Sequence, residues 1–271
     1  MKVAVIQMVS TGHLSENLLQ AHRLLEQAAH VGVELAVLPE YFCLIGQHDA
    51  DKLAIQEPFG DGPIQQFLAD TAQALGIWLV GGTLPLSTSS PDRVYNSSLV
   101  FDPQGDCVAR YDKMHLFRFD NGTEAYDESR VLERGDQPTR FSLRSKDGHV
   151  WQIGLSVCYD LRFAELYRTY AREGVDLMLV PSAFTHTTGQ AHWEVLLRAR
   201  AIENLSFVAA AAQGGVHPNG RRTWGQSILI DPWGEVLAQQ AQDPGVVCAE
   251  LNAATLAQRR TQLPALQHRV L

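Results

Sequence analysis

The stretch SSLVFDPQGDCVARY at residues 97–111 has a counterpart in QSILIDPWGEVLAQQ at residues 226–240. Each reads as two strands joined by a tight turn, DPQGD in the first stretch and DPWGE in the second. A second pair of similar segments is ELAVLPE at 34–40 and DLMLVPS at 176–182. One member of this pair precedes each hairpin. Because internal similarity of this kind is typical of a duplicated unit, the sequence predicts two halves of similar structure.

Around these pairs, apolar runs of strand length alternate with segments of helical period. The other predicted strands are VAVIQM (3–8), IWLVGGTL (77–84), WQIGLSV (151–157), FVAAAA (207–212) and VVCAEL (246–251). The predicted helices cover 15–29 (with a cap at Ser15), 63–75, 161–172 and 192–204, and a short polar helix follows the last strand.

Near-continuous apolar strands are typical of sheets that are covered on both faces. The sequence therefore predicts an α/β fold, a four-layer α-β-β-α sandwich with an internal pseudo-twofold repeat. No linker or low-complexity tract interrupts the chain, so we expect a single domain over 1–271. A single doubly wound sheet is the alternative, but hairpins at matching positions fit it less well.

Composition limits the classes of function. The chain of 271 residues carries a net charge of −8, and this acidic balance argues against a nucleic-acid partner. No apolar run approaches the roughly 18 residues of a membrane span, and the N-terminal run turns polar too soon for a secretory signal. Four widely separated cysteines do not make a disulfide framework. We therefore expect a cytoplasmic protein without a membrane partner.

Three reactive side chains follow predicted strands: Glu40, Lys113 and Cys158. In sheets with helical crossovers, sites gather at the carboxyl ends of strands. The pseudo-repeat would bring Glu40 and Cys158 to a shared cleft from neighbouring strands of the two halves. Taken singly, each residue has an ordinary explanation: a solvated carboxylate, a surface lysine or a packed cysteine. A cysteine–histidine pair with His115 also stays open.

Together, these residue types can hydrolyse an amide or a nitrile. A thiol attacks a carbonyl as the thiolate, and a nearby carboxylate can accept its proton and later a proton from water. An ammonium group can neutralise the developing oxyanion, and the backbone N–H of Tyr159 at a helix start can act as a second donor. This chemistry predicts a covalent cysteine intermediate and requires no metal or organic cofactor.

Motifs for other chemistries are absent from the sequence. No GxxxxGK[ST] or GxGxxG loop supports nucleotide binding, and no GxSxG motif supports a serine hydrolase. His186 and His192 match no zinc-binding pattern such as HExxH. The expected partner is therefore a small-molecule substrate.

Three ordered motifs carry a family resemblance: LPEYF at Glu40, YDKMHLF at Lys113 and VCYDLRF at Cys158. Further blocks include GTEAYDESRVLERGD, PSAFT, HWEVLLRARAIEN, GQSILIDPWGEV and LPALQHR. Through these motifs, nearly the whole chain resembles the carbon–nitrogen hydrolase (nitrilase) superfamily. The resemblance implies an α-β-β-α sandwich in which Cys158 is the nucleophile, Glu40 the general base and Lys113 the oxyanion stabiliser.

The resemblance also implies supporting residues. ESRVLERGD matches the loop of a second active-site glutamate, Glu128, which would orient the lysine or assist proton transfer; Glu124 is a rival whose flanking residues do not match. Arg162 is expected to hold a substrate carboxylate, because a guanidinium binds a carboxylate with two hydrogen bonds. A surface pair with Glu165 is the alternative for this arginine. Two more pocket residues are implied after VPSA: Phe184 and Thr188.

Within the superfamily, CYDLRFAEL and LPALQHR look most like the branch of deaminated-glutathione amidases and ω-amidases. This likeness implies a small, carboxylate-bearing linear amide as substrate and a homodimer or higher homo-oligomer. An N-carbamoyl amino acid hydrolase, a nitrilase and a catalytically silent binding member of the fold remain alternatives. One departure is Ala164, which stands where family members usually carry proline, a change that bears on rigidity more than on chemistry.

Overall fold

The computed structural model describes residues 1–270; Leu271, the last residue of the predicted domain, lies outside the described residues. The strands of the first half are β1 (Lys2–Gln7), β2 (Leu35–Val37), β3 (Trp78–Val80), β4 (Leu84–Ser87), β5 (Val94–Phe101), β6 (Cys107–Asp112), β7 (Arg118–Asp120), β8 (Ala125–Asp127) and β9 (Leu132–Glu133). The strands of the second half are β10 (Arg140–Arg144), β11 (Val150–Leu155), β12 (Leu177–Leu179), β13 (Phe207–Ala210), β14 (Gly214–Val216), β15 (Arg222–Trp224), β16 (Ser227–Ile230), β17 (Val236–Gln240) and β18 (Gly245–Glu250).

The helices lie between these strands and after the last one. The α-helices are α1 (Leu14–His30), α2 (Pro63–Leu75), α3 (Ala164–Arg172), α4 (His186–Asn204) and α5 (Ala253–Gln262). Short 3₁₀-helices cover Asp49–Ile55, Glu128–Arg130 and Cys158–Arg162. Across residues 1–270, none of the helices has the length and apolar character needed to cross a membrane.

Two large sheets repeat one strand order. The first runs β18-β1-β2-β3-β5-β4, with β6 and β9 also paired to β5, and the second runs β10-β11-β12-β13-β16-β17. In each sheet, three parallel strands are followed by an antiparallel hairpin pair, β5–β6 in the first and β16–β17 in the second. The internal repeat predicted from the paired sequence segments is thus confirmed.

Alternate residues of the strands face different layers. In β1, Val5 belongs to an apolar cluster that includes Leu155 of the second sheet. The next residue, Ile6, belongs to a cluster that includes Leu25 of α1 and Leu68 of α2. Since successive strand residues point to opposite faces, one face of the first sheet packs on the second sheet and the other on helices. With α4 packed on β13 and β16, the four-layer α-β-β-α order is confirmed.

The helix predicted over 161–172 consists of two elements. The 3₁₀-helix Cys158–Arg162 comes first, and the extended backbone of Phe163 (φ −104°, ψ 91°) separates it from α3. Ala164 is the first residue of α3, a position where proline is tolerated because its missing N–H would have no helical partner. The alanine therefore leaves the helix start intact.

Two other helix starts differ from prediction. Helix α4 begins at His186, six residues early, because the side chain of Thr185 caps it by accepting a hydrogen bond from the backbone N–H of Thr188. The predicted cap at Ser15 is wrong, since α1 begins one residue earlier and His13 stands at its N-cap without a side-chain cap bond. Side-chain capping by threonine satisfies a backbone donor that would otherwise have no partner.

The strand predicted over 77–84 is divided into β3 and β4. Gly82 lies between them with φ +50°, in the left-handed region that glycine adopts at little cost. A Cβ at this position would collide with the backbone carbonyl oxygen of Pro39. The close approach holds the end of β3 against the loop that carries Glu40.

Candidate active site

The carboxyl ends of three strands position the predicted catalytic residues. Lys113 directly follows β6, whereas Glu40 and Cys158 lie three residues beyond the ends of β2 and β11. The predicted strands were therefore too long at both places. Glu40 and Cys158 line one narrow pocket between the two halves, and Lys113 reaches Glu40 from the side.

Lys113 bridges two buried carboxylates. Its side chain has 0% of its surface exposed, against 1% for Glu40 and 13% for Glu128. Its Nζ donates hydrogen bonds to Glu40 Oε1 at 2.9 Å and to Glu128 Oε1 and Oε2 at 2.9 and 2.8 Å. All three N–H donors of an ammonium group are thus directed at carboxylate oxygens, which compensates charges that would be costly to bury alone.

Glu40 is fixed from several sides. Besides Lys113, Asn96 Nδ2 donates to its Oε1 at 2.9 Å, and the backbone N–H of Ala183 donates to its Oε2 at 2.8 Å. Gln213 Nε2 donates to the backbone oxygen of Glu40 at 3.1 Å. Sequence reasoning missed Asn96 and Gln213, because amide side chains in a strand and a loop carry no catalytic signature of their own.

Glu128 is oriented by two further donors. Tyr41 Oη donates to Oε1 at 2.9 Å, and the backbone N–H of Phe117 donates to Oε2 at 2.7 Å. Its sequence rival Glu124 instead accepts a hydrogen bond from Thr187 Oγ1 at 3.1 Å. Of these two glutamates, the structure brings Glu128 to the lysine.

The cluster shifts the pKa values of its members. Burial raises the pKa of Glu128, but the positive charge of Lys113 and the hydrogen bonds from Lys113, Phe117 and Tyr41 together lower it more, so the carboxyl titrates below its ordinary value of 4.5. Burial alone would lower the pKa of Lys113, but the charges of Glu128 and Glu40 raise it above its ordinary value. Lys113 and Glu128 are therefore both charged at neutral pH.

The depressed pKa of Glu128 predicts a pH dependence of stability. A carboxyl whose pKa is lower in the folded state stabilises the fold above its unfolded pKa and loses that contribution as pH falls through the folded pKa. We therefore expect the difference in free energy of unfolding between wild type and Glu128→Gln to shrink below about pH 4.5. Urea denaturation at pH 7 and at several lower pH values measures this difference in free energy of unfolding. Exposed Glu165→Gln is the control, and a difference that stays constant with pH would contradict the linkage.

Cys158 adopts a strained backbone conformation. Its φ is +51°, which is uncommon for a residue with a side chain, and its N–H donates to the backbone oxygen of Pro181 at 2.9 Å. Burial raises the pKa of its thiol, and the charge of Glu40 raises it further, while Lys113 acts in the opposite direction. The resting group is therefore a neutral thiol, which requires a base before it can attack.

Asp160 organises the turn behind the thiol. Its Oδ2 accepts hydrogen bonds from Tyr111 Oη at 2.7 Å and from the N–H of Val157 at 2.8 Å. Its Oδ1 accepts from the N–H of His115 at 3.0 Å and lies 2.7 Å from His115 Nδ1. The imidazole also stacks flat on Phe163, with centroids 3.7 Å apart. His115 thus belongs to the network that holds the 3₁₀-helix, which gives no support to a cysteine–histidine pair.

The implied substrate-binding residues lie on the same pocket as Cys158. Arg162 extends toward α4, where its two terminal nitrogens are each 3.3 Å from His192 Nδ1. The guanidinium also lies 5.7 Å from the ring centroid of Tyr159 and 5.6 Å from that of Phe184. Within residues 1–270 it makes no ion pair with Glu165. Besides Arg162, the pocket is lined by the three other residues that were implied to bind substrate: Tyr159, Phe184 and Thr188.

Sequence reasoning missed one charged residue of this pocket, Arg221. It ends the turn between β14 and β15, and the surrounding HPNGR segment matches none of the motifs that identified the other residues. The uncharged lining residues that were also missed are Phe117, Ala183 and Thr185. Within residues 1–270, no group of three or more His, Cys, Asp or Glu side chains is arranged to hold a metal ion.

The chain combines a sandwich of two duplicated sheets with a buried Glu–Lys–Glu cluster beside a strained cysteine. This combination defines an enzyme class. The model of the carbon–nitrogen hydrolase family matches residues 2–261, and the chain belongs to this family. The resemblance recognised from the sequence motifs is therefore confirmed. The chain is a hydrolase that acts on carbon–nitrogen bonds other than peptide bonds.

Two named relatives and one solved structure are similar to this chain over nearly its full length. The chain is 39% identical over 270 residues to a deaminated glutathione amidase of Synechocystis, covering 98% of this chain and 97% of the relative. It is 34% identical over 269 residues to the human omega-amidase NIT2, covering 99% and 94% of the two chains. Among solved structures, Saccharomyces cerevisiae Nit3 of the nitrilase superfamily superposes with a TM-score of 0.87 at 30% identity, covering 100% of this chain and 97% of the other.

Proposed function

We propose that this protein is an amidase that splits the C–N bond of small carboxylate-bearing linear amides, with deaminated glutathione as the leading substrate. The observation that carries this proposal is the pocket itself, in which Glu40 and Cys158 lie together with Arg162. A base, a nucleophile and a carboxylate-binding guanidinium on one pocket are what hydrolysis of an anionic amide requires.

The first half-reaction forms a thioester. Glu40 accepts the proton of the Cys158 thiol, and the thiolate attacks the amide carbonyl carbon. The Nζ of Lys113 and the backbone N–H of Tyr159 stabilise the resulting oxyanion. When the tetrahedral intermediate collapses, Glu40 returns the proton to the leaving amine, and the acyl group stays on Cys158.

Lys113 couples the protonation of Glu40 to the stabilisation of the oxyanion. Its three N–H groups point at carboxylate oxygens at rest, one of them on Glu40. Protonation of Glu40 removes the negative charge from that acceptor, so this N–H can turn to the oxyanion as it forms. Glu128 keeps the other two donors occupied, which holds the ammonium group in place and charged.

The second half-reaction releases the acid. Water enters after the amine has left, Glu40 accepts its proton, and the hydroxide attacks the thioester. Collapse of this second intermediate expels the Cys158 thiolate, which regains its proton from Glu40. The cycle uses protein side chains and one backbone N–H, and every proton transfer of the two half-reactions passes through Glu40.

Substrate choice follows from Arg162 and from the relatives. The guanidinium offers the geometry that a carboxylate binds with two charge-assisted hydrogen bonds. Deaminated glutathione carries a 2-oxo acid on the acyl side of its amide, and its hydrolysis gives 2-oxoglutarate and cysteinylglycine. An ω-amide of a 2-oxo dicarboxylate presents the same acyl group with ammonia as the leaving group.

A panel of four compounds tests the proposed function: deaminated glutathione, 2-oxoglutaramate, an N-carbamoyl amino acid and an aliphatic nitrile with a terminal carboxylate. We expect the wild-type protein to release cysteinylglycine or ammonia from the first two. Release of carbon dioxide from the third alone, or turnover of the nitrile alone, would overturn the amide assignment. Turnover of none of the four would favour a silent binding member of the fold.

We further propose that residues 1–271 act as one domain, in the cytoplasm and as a homodimer or higher homo-oligomer. A continuous sandwich whose last strand, β18, pairs with its first, β1, supports the single domain. Sedimentation of the purified protein tests the oligomeric state.

A further inference from the structure

Arg221 lines the pocket and carries a buried donor without a partner within residues 1–270. Its Nη2 lies 3.4 Å from the backbone oxygen of Ala183, and its guanidinium lies 5.2 Å from the ring centroid of Tyr126. Its Nε is buried, however, and has no hydrogen-bond partner within residues 1–270. Buried polar groups are nearly always satisfied, so the guanidinium of this pocket-lining arginine has hydrogen-bonding capacity that the protein leaves unused.

The position of Arg221 joins two cavities. It lines the narrow pocket with Cys158 and Glu40. It also lines an outer groove of about 600 Å³, whose walls come from residues 41–52, 123–131 and 219–221. Within residues 1–270, Arg221 is the residue that both cavities share.

One cationic side chain of the outer groove is without an ion-pair partner within residues 1–270. Three cationic side chains line it, Lys52, Arg130 and Arg221, against two acidic ones, Asp49 and Glu124. The Lys52 Nζ lies 3.3 Å from Asp49 Oδ1, so these two charges compensate each other. The Arg130 Nε likewise lies 3.9 Å from Asp127 Oδ2. Arg221 is therefore the cationic side chain of the groove that forms no ion pair within residues 1–270, and its guanidinium favours an anionic group.

Arg162 and Arg221 lie on different walls of the site, and their guanidinium groups bind different parts of the substrate. The acyl group stays bound to Cys158 until water arrives, so it must occupy the narrow inner pocket, where Arg162 lies beside His192. The amine must depart first, so it lies toward the outer groove, where Arg221 lies beside Tyr126.

We infer that Arg221 binds a carboxylate on the amine side of the scissile amide, and that the enzyme therefore prefers substrates with carboxylates on both sides. This inference rests on the proposed amidase function. It distinguishes the two leading substrates, since deaminated glutathione ends in a glycine carboxylate beyond the scissile bond. The ω-amide of a 2-oxo dicarboxylate has only ammonia there.

A pair of matched amides tests this assignment. One is deaminated glutathione, and the other is the same molecule with its glycine carboxylate converted to a carboxamide. We expect Arg221→Gln to lower kcat/KM for the acid by about 10- to 100-fold, mainly through KM, because charge-assisted hydrogen bonds are lost. The carboxamide should change by less than about twofold. Arg162→Gln should lower kcat/KM for both amides alike.

Arg222→Gln is the matched control, because it removes the same charge from the exposed neighbour on the same hairpin. It should leave both amides unaffected, and the melting temperatures of all variants show whether they fold. An equal effect of Arg221→Gln on the two amides, or no effect on either, would overturn the role of Arg221 while the amidase function stands. Failure of the wild type to cleave either amide while it cleaves 2-oxoglutaramate would also overturn the role of Arg221, whereas failure with all three compounds would refute the proposed function and this assignment with it.

Discussion

Cys158→Ala is expected to lower kcat for deaminated glutathione by about 10⁴-fold or more, the scale on which hydrolases lose activity when their nucleophile is removed. Glu40 and Lys113 would keep their positions, but no thioester could form. The measurement is cysteinylglycine release under single-turnover and steady-state conditions. Because the cavity left by one sulfur atom is small, we expect the variant to fold and to bind substrate.

Two other cysteines provide controls for Cys158→Ala. Cys107 is exposed and Cys43 is buried, and both are free thiols. Burial raises the pKa of Cys43 to about 12. Its thiol therefore stays protonated at neutral pH, as expected for a packed cysteine. Alanine at either position should leave kcat within about twofold of the wild-type value. Activity of Cys158→Ala within about tenfold of wild type would refute a cysteine nucleophile and leave direct attack by water.

The fold was predictable because its signals are local and occur twice. The hairpin at 97–111 and its counterpart at 226–240 pair as β5–β6 and β16–β17, and each requires only a turn and two apolar runs. Strand and helix ends were less predictable. The helix break at Phe163 and the turn at Cys158 depend on contacts with residues far along the chain, such as the bond to Pro181, and no local pattern encodes them.

The residues of the site also fall into a group that the sequence could predict and a group that it could not. Glu40, Lys113, Cys158 and Glu128 could be predicted as site residues because each lies in a motif of recognisable order. The structure brings all four within one cluster and pocket, and their catalytic roles stay predictions. Arg221 was not found, because it reaches the pocket from a hairpin turn that is 63 residues beyond Cys158. A side chain whose role depends only on where the fold places it leaves no trace in spacing or periodicity.

Lys113→Met is expected to affect stability as well as activity. The substitution keeps an unbranched side chain that is one heavy atom shorter, but leaves the carboxylates of Glu40 and Glu128 buried without their shared cation. Breaking a buried ion pair by removing one partner costs about 3–5 kcal/mol, and urea denaturation at pH 7 measures this cost as a lower free energy of unfolding. Lys146→Met, at an exposed lysine, should change it by less than about 0.5 kcal/mol.

A double variant separates the structural role of Lys113 from its chemical role. Lys113→Met with Glu128→Gln removes one charge of each sign, so only Glu40 remains as an uncompensated carboxylate. We expect part of the lost stability to return, because the effects of groups in direct contact are not additive. Activity should stay at least about 10²-fold below wild type, since the oxyanion has lost its cationic donor. Recovery of activity together with stability would mean that Lys113 serves only to balance the two carboxylates.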